Sequence, residues 1–195
     1  MSQALGMNRE LNRPWTKAAI RKPRPFWVFG YGSLMWRPGF DPAEKIAAKV
    51  RGYHRALCVH SLHHRGTPEQ PGLVVGLDRG GWCLGQAYRV LPINLPKVTA
   101  YLDERERITG IYEPVVVKAE LIDGRRVSCY TFRVRRRHQQ YFRRATLETA
   151  LPLVQSGKGA SGTCLDYLEN TVGHLRACGV HDARLSRLVR DAKAR

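Results

Sequence analysis

From Phe26 onward the chain is built of short apolar runs separated by glycine, proline or aspartate. Phe26–Phe29, Ala56–His60, Leu73–Leu77, Cys83–Val90, Val115–Leu121 and Val127–Val134 are rich in Val, Tyr, Phe and Trp, which predicts strands. The stretch RRVSCYTFRV alternates apolar and polar positions, the period of a half-buried strand. Helical periodicity is rarer. One helix is expected from Leu95 to Arg107, with Pro96 in its first turn. Another is expected from Thr163 to Ala177, where Leu165, Leu168, Val172 and Leu175 share a face and Gly179 follows the end. A further helix starts at Asp182, and Gln140–Val154 reads as helical but interrupted at Pro152. Strands do not alternate regularly with helices, so a doubly wound sheet is not expected. The pattern predicts an α+β fold, a curved mixed β-sheet or barrel flanked by helices.

Residues 1–24 break this rhythm. They are basic, rich in Asn, Arg and Pro, and weakly periodic, and they read as an N-terminal tail. The expected organisation is that tail, a domain over residues 25–180, and a C-terminal helical extension over 181–195. A chain of 195 residues with 43% hydrophobic content can form one cored domain. Its charge is unusual: 33 Lys and Arg against 16 Asp and Glu, a net +17. Such a field attracts nucleic acid, anionic membranes or anionic small molecules. No apolar run approaches the roughly 20 residues of a membrane helix, and the N-terminal residues lack a signal-peptide core, so no membrane partner and a cytoplasmic location are expected. Cys58, Cys83, Cys129, Cys164 and Cys178 are scattered without a CxxC pair, which fits reduced thiols better than a disulfide framework or a zinc site.

Four stretches carry candidate chemistry. The first, FGYGSLMW, ends an apolar run in a glycine turn; it lacks the third glycine of a dinucleotide fingerprint, the Lys of a P-loop and the spacing of a nucleophile elbow. It is either a plain turn or a nest of amides that holds a carboxylate or oxyanion. The second is the acidic stretch YLDERERITGIYEP. Helical spacing puts Val98, Leu102 and Glu106 on one stripe and Asp103 and Glu104 on the polar side. A carboxylate on a buried face has its pKa raised and suits proton transfer; one paired with Arg105 is a structural ion pair. The spacing leaves both readings open. In the third stretch, His60, His63 and His64 sit close together, but strand and loop geometry supplies no clear further ligand, and no metal is expected. The fourth is RVRRRHQQYFRR. It either grips phosphates and stacks bases or forms a solvated face.

Together, several of these stretches resemble the ChaC family of γ-glutamylcyclotransferases, in its glutathione-specific branch. The resemblance covers about residues 26–175. VFGYGSLMW is similar to the family's substrate loop, and HHRGTPEQPGLVVGL and CLGQAYRV to its next two segments. YLDERERITGIYEP resembles the helix carrying the family's catalytic glutamate, which follows an arginine and precedes Gly-x-Tyr; that places the glutamate at Glu106. SGTCLDYLENTV resembles the closing helix, with its tyrosine at Tyr167. The basic tail, the arginine run and Glu104, where relatives often carry an apolar or aromatic residue, depart from the pattern.

The resemblance implies a γ-glutamylcyclotransferase-like fold and a lyase reaction. The α-amine of a γ-glutamyl group attacks its own γ-carbonyl, giving 5-oxoproline and, from glutathione, Cys-Gly. It further implies Glu106 as general acid and base. Gly30, Tyr31, Gly32, Ser33, Leu34 and Met35 become the substrate loop, with Arg65, Tyr112 and Tyr167 as further contacts. No metal and no cofactor are implied, and no oligomeric state. The alternatives are a nucleic-acid-binding protein using the basic surface, and a cyclotransferase acting on another γ-glutamyl amine.

Overall fold

A computed structural model describes residues 25–106, 109–143 and 145–194. The expected tail over 1–24 lies outside the described residues. Five strands close a barrel: β1 (Phe26–Gly30), β2 (Glu44–Ser61), β3 (Gly72–Val90), β4 (Tyr112–Leu121) and β5 (Arg126–Val134), in the order β1-β3-β2-β4-β5. Neighbours are antiparallel except β1 and β5, whose parallel pairing at Trp27–Cys129 and Val28–Tyr130 closes the wall. The helices are α1 (Leu95–Glu106), α2 (Leu147–Ser156), α3 (Cys164–Ala177) and α4 (Ala183–Lys193). The fold is therefore α+β, a barrel flanked by helices, as the pattern predicts.

Both faces of β1 are buried, which explains its unbroken apolar run. Phe26 and Val28 pack with Val98 and Leu102 of α1, while Trp27 and Phe29 face the main core. That core also takes in Leu168, Val172 and Leu175 of α3 and Leu185, Leu188 and Ala192 of α4. So α4, within the segment expected as an extension, is seated on the same core as the barrel.

Three expectations are corrected. Leu73–Leu77 and Cys83–Val90 are halves of one long strand, and Ala56–His60 is only the end of β2. The β2–β3 ribbon bends at a bulge between Arg51 and Tyr53, where Gly52, Gly80 and Gly81 take positive φ of 83°, 100° and 66°. These glycines look like a strand break in sequence but act as a bend. The segment from Gln140 is not helical. His60 N–H donates to Gln140 O at 2.9 Å and Phe142 N–H to Cys58 O at 2.8 Å, so tertiary pairing to β2 overrides local preference. The helix begins after Thr146, whose side chain and that of Thr149 form a capping box, and it runs through Pro152.

The feature that makes room for a site is an unequal pairing. β1 ends at Gly30 opposite Gln86, while β3 begins at Gly72. The first half of β3 therefore has an edge that β1 does not cover. Side chains cover it instead: the Cys164 thiol bonds both Leu73 N (3.3 Å) and Leu73 O (2.9 Å), and two tyrosines engage Val75.

Candidate active site

A cavity of about 310 Å³ opens where β1 leaves the barrel wall. Its floor is the glycine turn, which continues as one 3₁₀ turn over Ser33–Met35. The carbonyls of this turn are all tied back. Arg55 Nε donates to Tyr31 O at 2.6 Å, Met35 N–H to Gly32 O at 2.9 Å and Arg37 N–H to Ser33 O at 2.8 Å. The Tyr88 hydroxyl serves Leu34 O and Met35 O at 2.8 and 3.0 Å. Among the described residues no side chain caps the start of the turn, and its first N–H groups lack an intrahelical partner. Gly32 sits in close quarters: a Cβ there would lie 3.2 Å from the Val75 side chain and 3.3 Å from the Tyr167 hydroxyl, so both would have to give by a few tenths of an ångström.

Above the turn stands Glu106, the last residue of α1, with its side chain 15% exposed. Burial raises its carboxyl from 4.5 to about 7, against the opposing pull of the Arg105 guanidinium. The two readings that the sequence leaves open are thus both present, and desolvation wins. Arg105 Nε is 3.5 Å from Glu106 Oε1, but its other nitrogens bond neutral acceptors: Ser33 Oγ at 2.7 Å, Tyr101 Oη at 2.6 Å and Arg37 O at 2.9 Å. Arg105 ties the end of α1 to the glycine turn.

Three phenols, those of Tyr31, Tyr112 and Tyr167, also line the cavity. Burial pushes each above the ordinary phenol range, and the Glu106 charge adds to this for Tyr31 and Tyr112, so all remain protonated at neutral pH. Val75 sets the polarity of two of them. Tyr167 Oη accepts the Val75 N–H at 3.3 Å, leaving its own proton to give. Tyr112 Oη donates to Val75 O at 3.2 Å, leaving lone pairs to accept.

The remaining wall is the turn after β2, with His63, His64 and Arg65. Arg65 Nη1 donates to Thr163 O at 3.2 Å, and its guanidinium lies 5.5 Å from the Tyr167 ring centroid. His64 Nδ1 is 3.0 Å from Ser161 Oγ. Burial, aided by the charges of His63, Arg105 and Arg65, lowers the His64 pKa. Among the described residues no group of three His, Cys, Asp or Glu side chains is placed to hold a metal.

Of the sequence-predicted residues, Glu106, Tyr31, Gly32, Ser33, Leu34, Arg65, Tyr112 and Tyr167 border this one cavity. Gly30 and Met35 do not. Gly30 is a strand residue packed on Leu34 and Tyr88, and Met35 faces the core, 1% exposed. The sequence reading missed Arg55 and Tyr88, which hold the turn from positions remote in the chain, and Tyr101, which holds Arg105 from one turn earlier in α1. The arginine run is partly committed elsewhere: Arg133 and Arg135 pair with Glu113, and Arg136 with Asp78.

Comparison with known proteins gives a consistent picture. Residues 26–195 match the family described as ChaC-like protein. The chain is 36% identical over 169 residues to the glutathione-specific γ-glutamylcyclotransferase of Escherichia coli, covering 87% of this chain and 73% of that protein. It is 31% identical to the human glutathione-specific γ-glutamylcyclotransferase 1, covering 86% and 78%. In structure it is similar to a yeast γ-glutamylcyclotransferase specific to glutathione, with a TM-score of 0.78 over 87% of this chain and 96% of that one, at 20% identity. The barrel with its flanking helices is thus a γ-glutamylcyclotransferase fold.

Proposed function

On the premise that this chain belongs to the ChaC-like family, as the match over residues 26–195 establishes, we propose that it cleaves glutathione to 5-oxoproline and Cys-Gly. The supporting observation is the Glu106 carboxyl, buried beside an uncapped amide turn and raised to about 7. Glu106 takes a proton from the substrate's α-ammonium. The freed amine attacks the γ-carbonyl of the same glutamyl unit and closes a five-membered ring. Glu106 then delivers that proton to the nitrogen of the departing Cys-Gly as the C–N bond breaks, and the extra proton left on the ring nitrogen passes through the freed Glu106 carboxylate to the product amine, which leaves as an ammonium. A group that titrates near neutrality can take part in both transfers.

Nucleophile and electrophile belong to one molecule, so holding the substrate folded supplies much of the acceleration; effective molarities of about 10⁵–10⁸ M are attainable. The amides at Gly32–Leu34 receive the negative oxygen that forms at the γ-carbonyl or the neighbouring α-carboxylate. Tyr112, with its lone pairs free, suits the α-ammonium; Tyr167, with its proton free, suits an oxygen. We place the protein in a reducing cytoplasm, where its five free cysteines, four of them buried, remain thiols.

The test is a product balance. Purified protein incubated with glutathione is expected to release 5-oxoproline and Cys-Gly in equal amounts. Consumption of glutathione without 5-oxoproline would contradict the reading, as would release of glutamate in its place.

A further inference from the structure

We infer that the 61–66 turn is a fixed cationic subsite for the carboxylate at the far end of the substrate, with Arg65 as its anchor. The inference rests on the cyclotransferase reading above and narrows its substrate to γ-glutamyl peptides with a free C-terminal carboxylate.

The first support is uncompensated charge. Among the described residues no carboxylate lies within ion-pair distance of Arg65, which engages the Thr163 carbonyl and the Tyr167 ring instead. Asp166 acts on it only at longer range, and Arg37 adds positive charge nearby. Arg37 also borders the cavity and is exposed, with no ion pair among the described residues. A half-buried guanidinium without a counter-ion, on a cavity wall, suits an anion supplied from outside. His64 and Ser161 add neutral hydrogen-bonding groups beside it.

The second support is rigidity. Four glycines let backbones meet around this turn. A Cβ on Gly66 would lie 2.1 Å from Gly72 N, one on Gly72 2.0 Å from Arg65 O, one on Gly157 2.7 Å from Arg65 O, and one on Gly159 2.4 Å from His63 O. The amides of Ala160 and Ser161 donate to His63 O and His64 O, each at 2.9 Å, and the Arg65 amide donates to Ser61 Oγ at 2.9 Å. A turn held on every side keeps its side chains in place before any ligand arrives.

The third support is reach. The α-carboxylate shares a carbon with the reacting amine, so it stays near Glu106 and the glycine turn. A carboxylate two residues beyond the scissile bond lies about 7 Å further along an extended chain. Tyr167 joins the two places: its hydroxyl sits at Gly32 and its ring at Arg65.

The test compares glutathione with its C-terminal carboxamide, which has the same shape but lacks the far charge, on the full-length enzyme and on R65Q and R65K. The wild type is expected to prefer glutathione by about tenfold or more in kcat/KM, mainly through KM, the worth of a charge-assisted hydrogen bond. In R65Q that preference collapses, and R65K keeps part of it. Equal kcat/KM for the two substrates in the wild type would overturn the subsite while leaving the cyclotransferase reading intact. An R65Q loss that is the same on both substrates would also overturn it, because it would make Arg65 structural. No 5-oxoproline from either substrate would overturn both readings together.

Discussion

Two influences compete over the Glu106 carboxyl: burial favours its neutral form, and Arg105 favours its charged form. Burial prevails because Arg105 spends its donors on Ser33, Tyr101 and Arg37 rather than on the carboxylate. The folded protein therefore holds a proton between pH 4.5 and about 7 that the unfolded chain has released. Stability falls as pH rises through that window and levels off above it. E106Q removes the effect, so at pH 8 it should melt higher than wild type, by up to about 3 kcal/mol of stability, with the gain gone near pH 4. Denaturation at the two pH values checks this. R105M removes the group that holds the carboxyl down, so the acid limb of kcat/KM should move to higher pH; a limb that stayed in place would show Arg105 to be remote from the proton transfer. At this scale the sequence was informative about Glu106, because the helical stripe and the family motif select the same residue. Arg105's partners were not legible, since Ser33 lies 72 residues and Arg37 68 residues away in the chain.

The elements that carry the site are positioned by places where a side chain would not fit. Gly159 lets the short hairpin after α2 press against the 61–66 turn. In G159A the new methyl meets the His63 carbonyl, so the variant should lose about 1–3 kcal/mol of stability, and its KM for glutathione should rise more than its kcat falls. A thermal melt with steady-state kinetics tests both parts. Strand identity was readable wherever both faces are buried, as in β1. It failed in the first half of β2, where Glu44–Arg55 mixes charges with small alanines and makes no apolar run. It failed again at Tyr141, which pairs with Val59, a contact no local pattern encodes. The cavity itself arises from the unequal ends of β1 and β3, which is a property of register and not of any one segment.

The whole molecule carries a net charge of +17, and the cavity opens among Arg37, Arg65 and Arg105. An anionic substrate is then drawn in over the Debye length, which shrinks from about 30 Å at 0.01 M salt to about 8 Å at 0.15 M. Raising salt across that range should lower kcat/KM for glutathione while kcat holds steady; a flat kcat/KM would separate the surface charge from substrate capture. Among the described residues no helix is long and apolar enough to cross a membrane. Part of the arginine run, which the sequence leaves between a phosphate grip and a solvated face, is held in ion pairs with Glu113 and Asp78.

The most direct test of the account is the rate of 5-oxoproline formation from glutathione by wild type and E106Q, measured side by side from pH 5 to 9. The wild-type kcat/KM is expected to climb through about pH 7 and the E106Q rate to be about 10²–10⁴-fold lower, with the E106Q fold intact by circular dichroism. An E106Q enzyme that turned over at a near wild-type rate would contradict it.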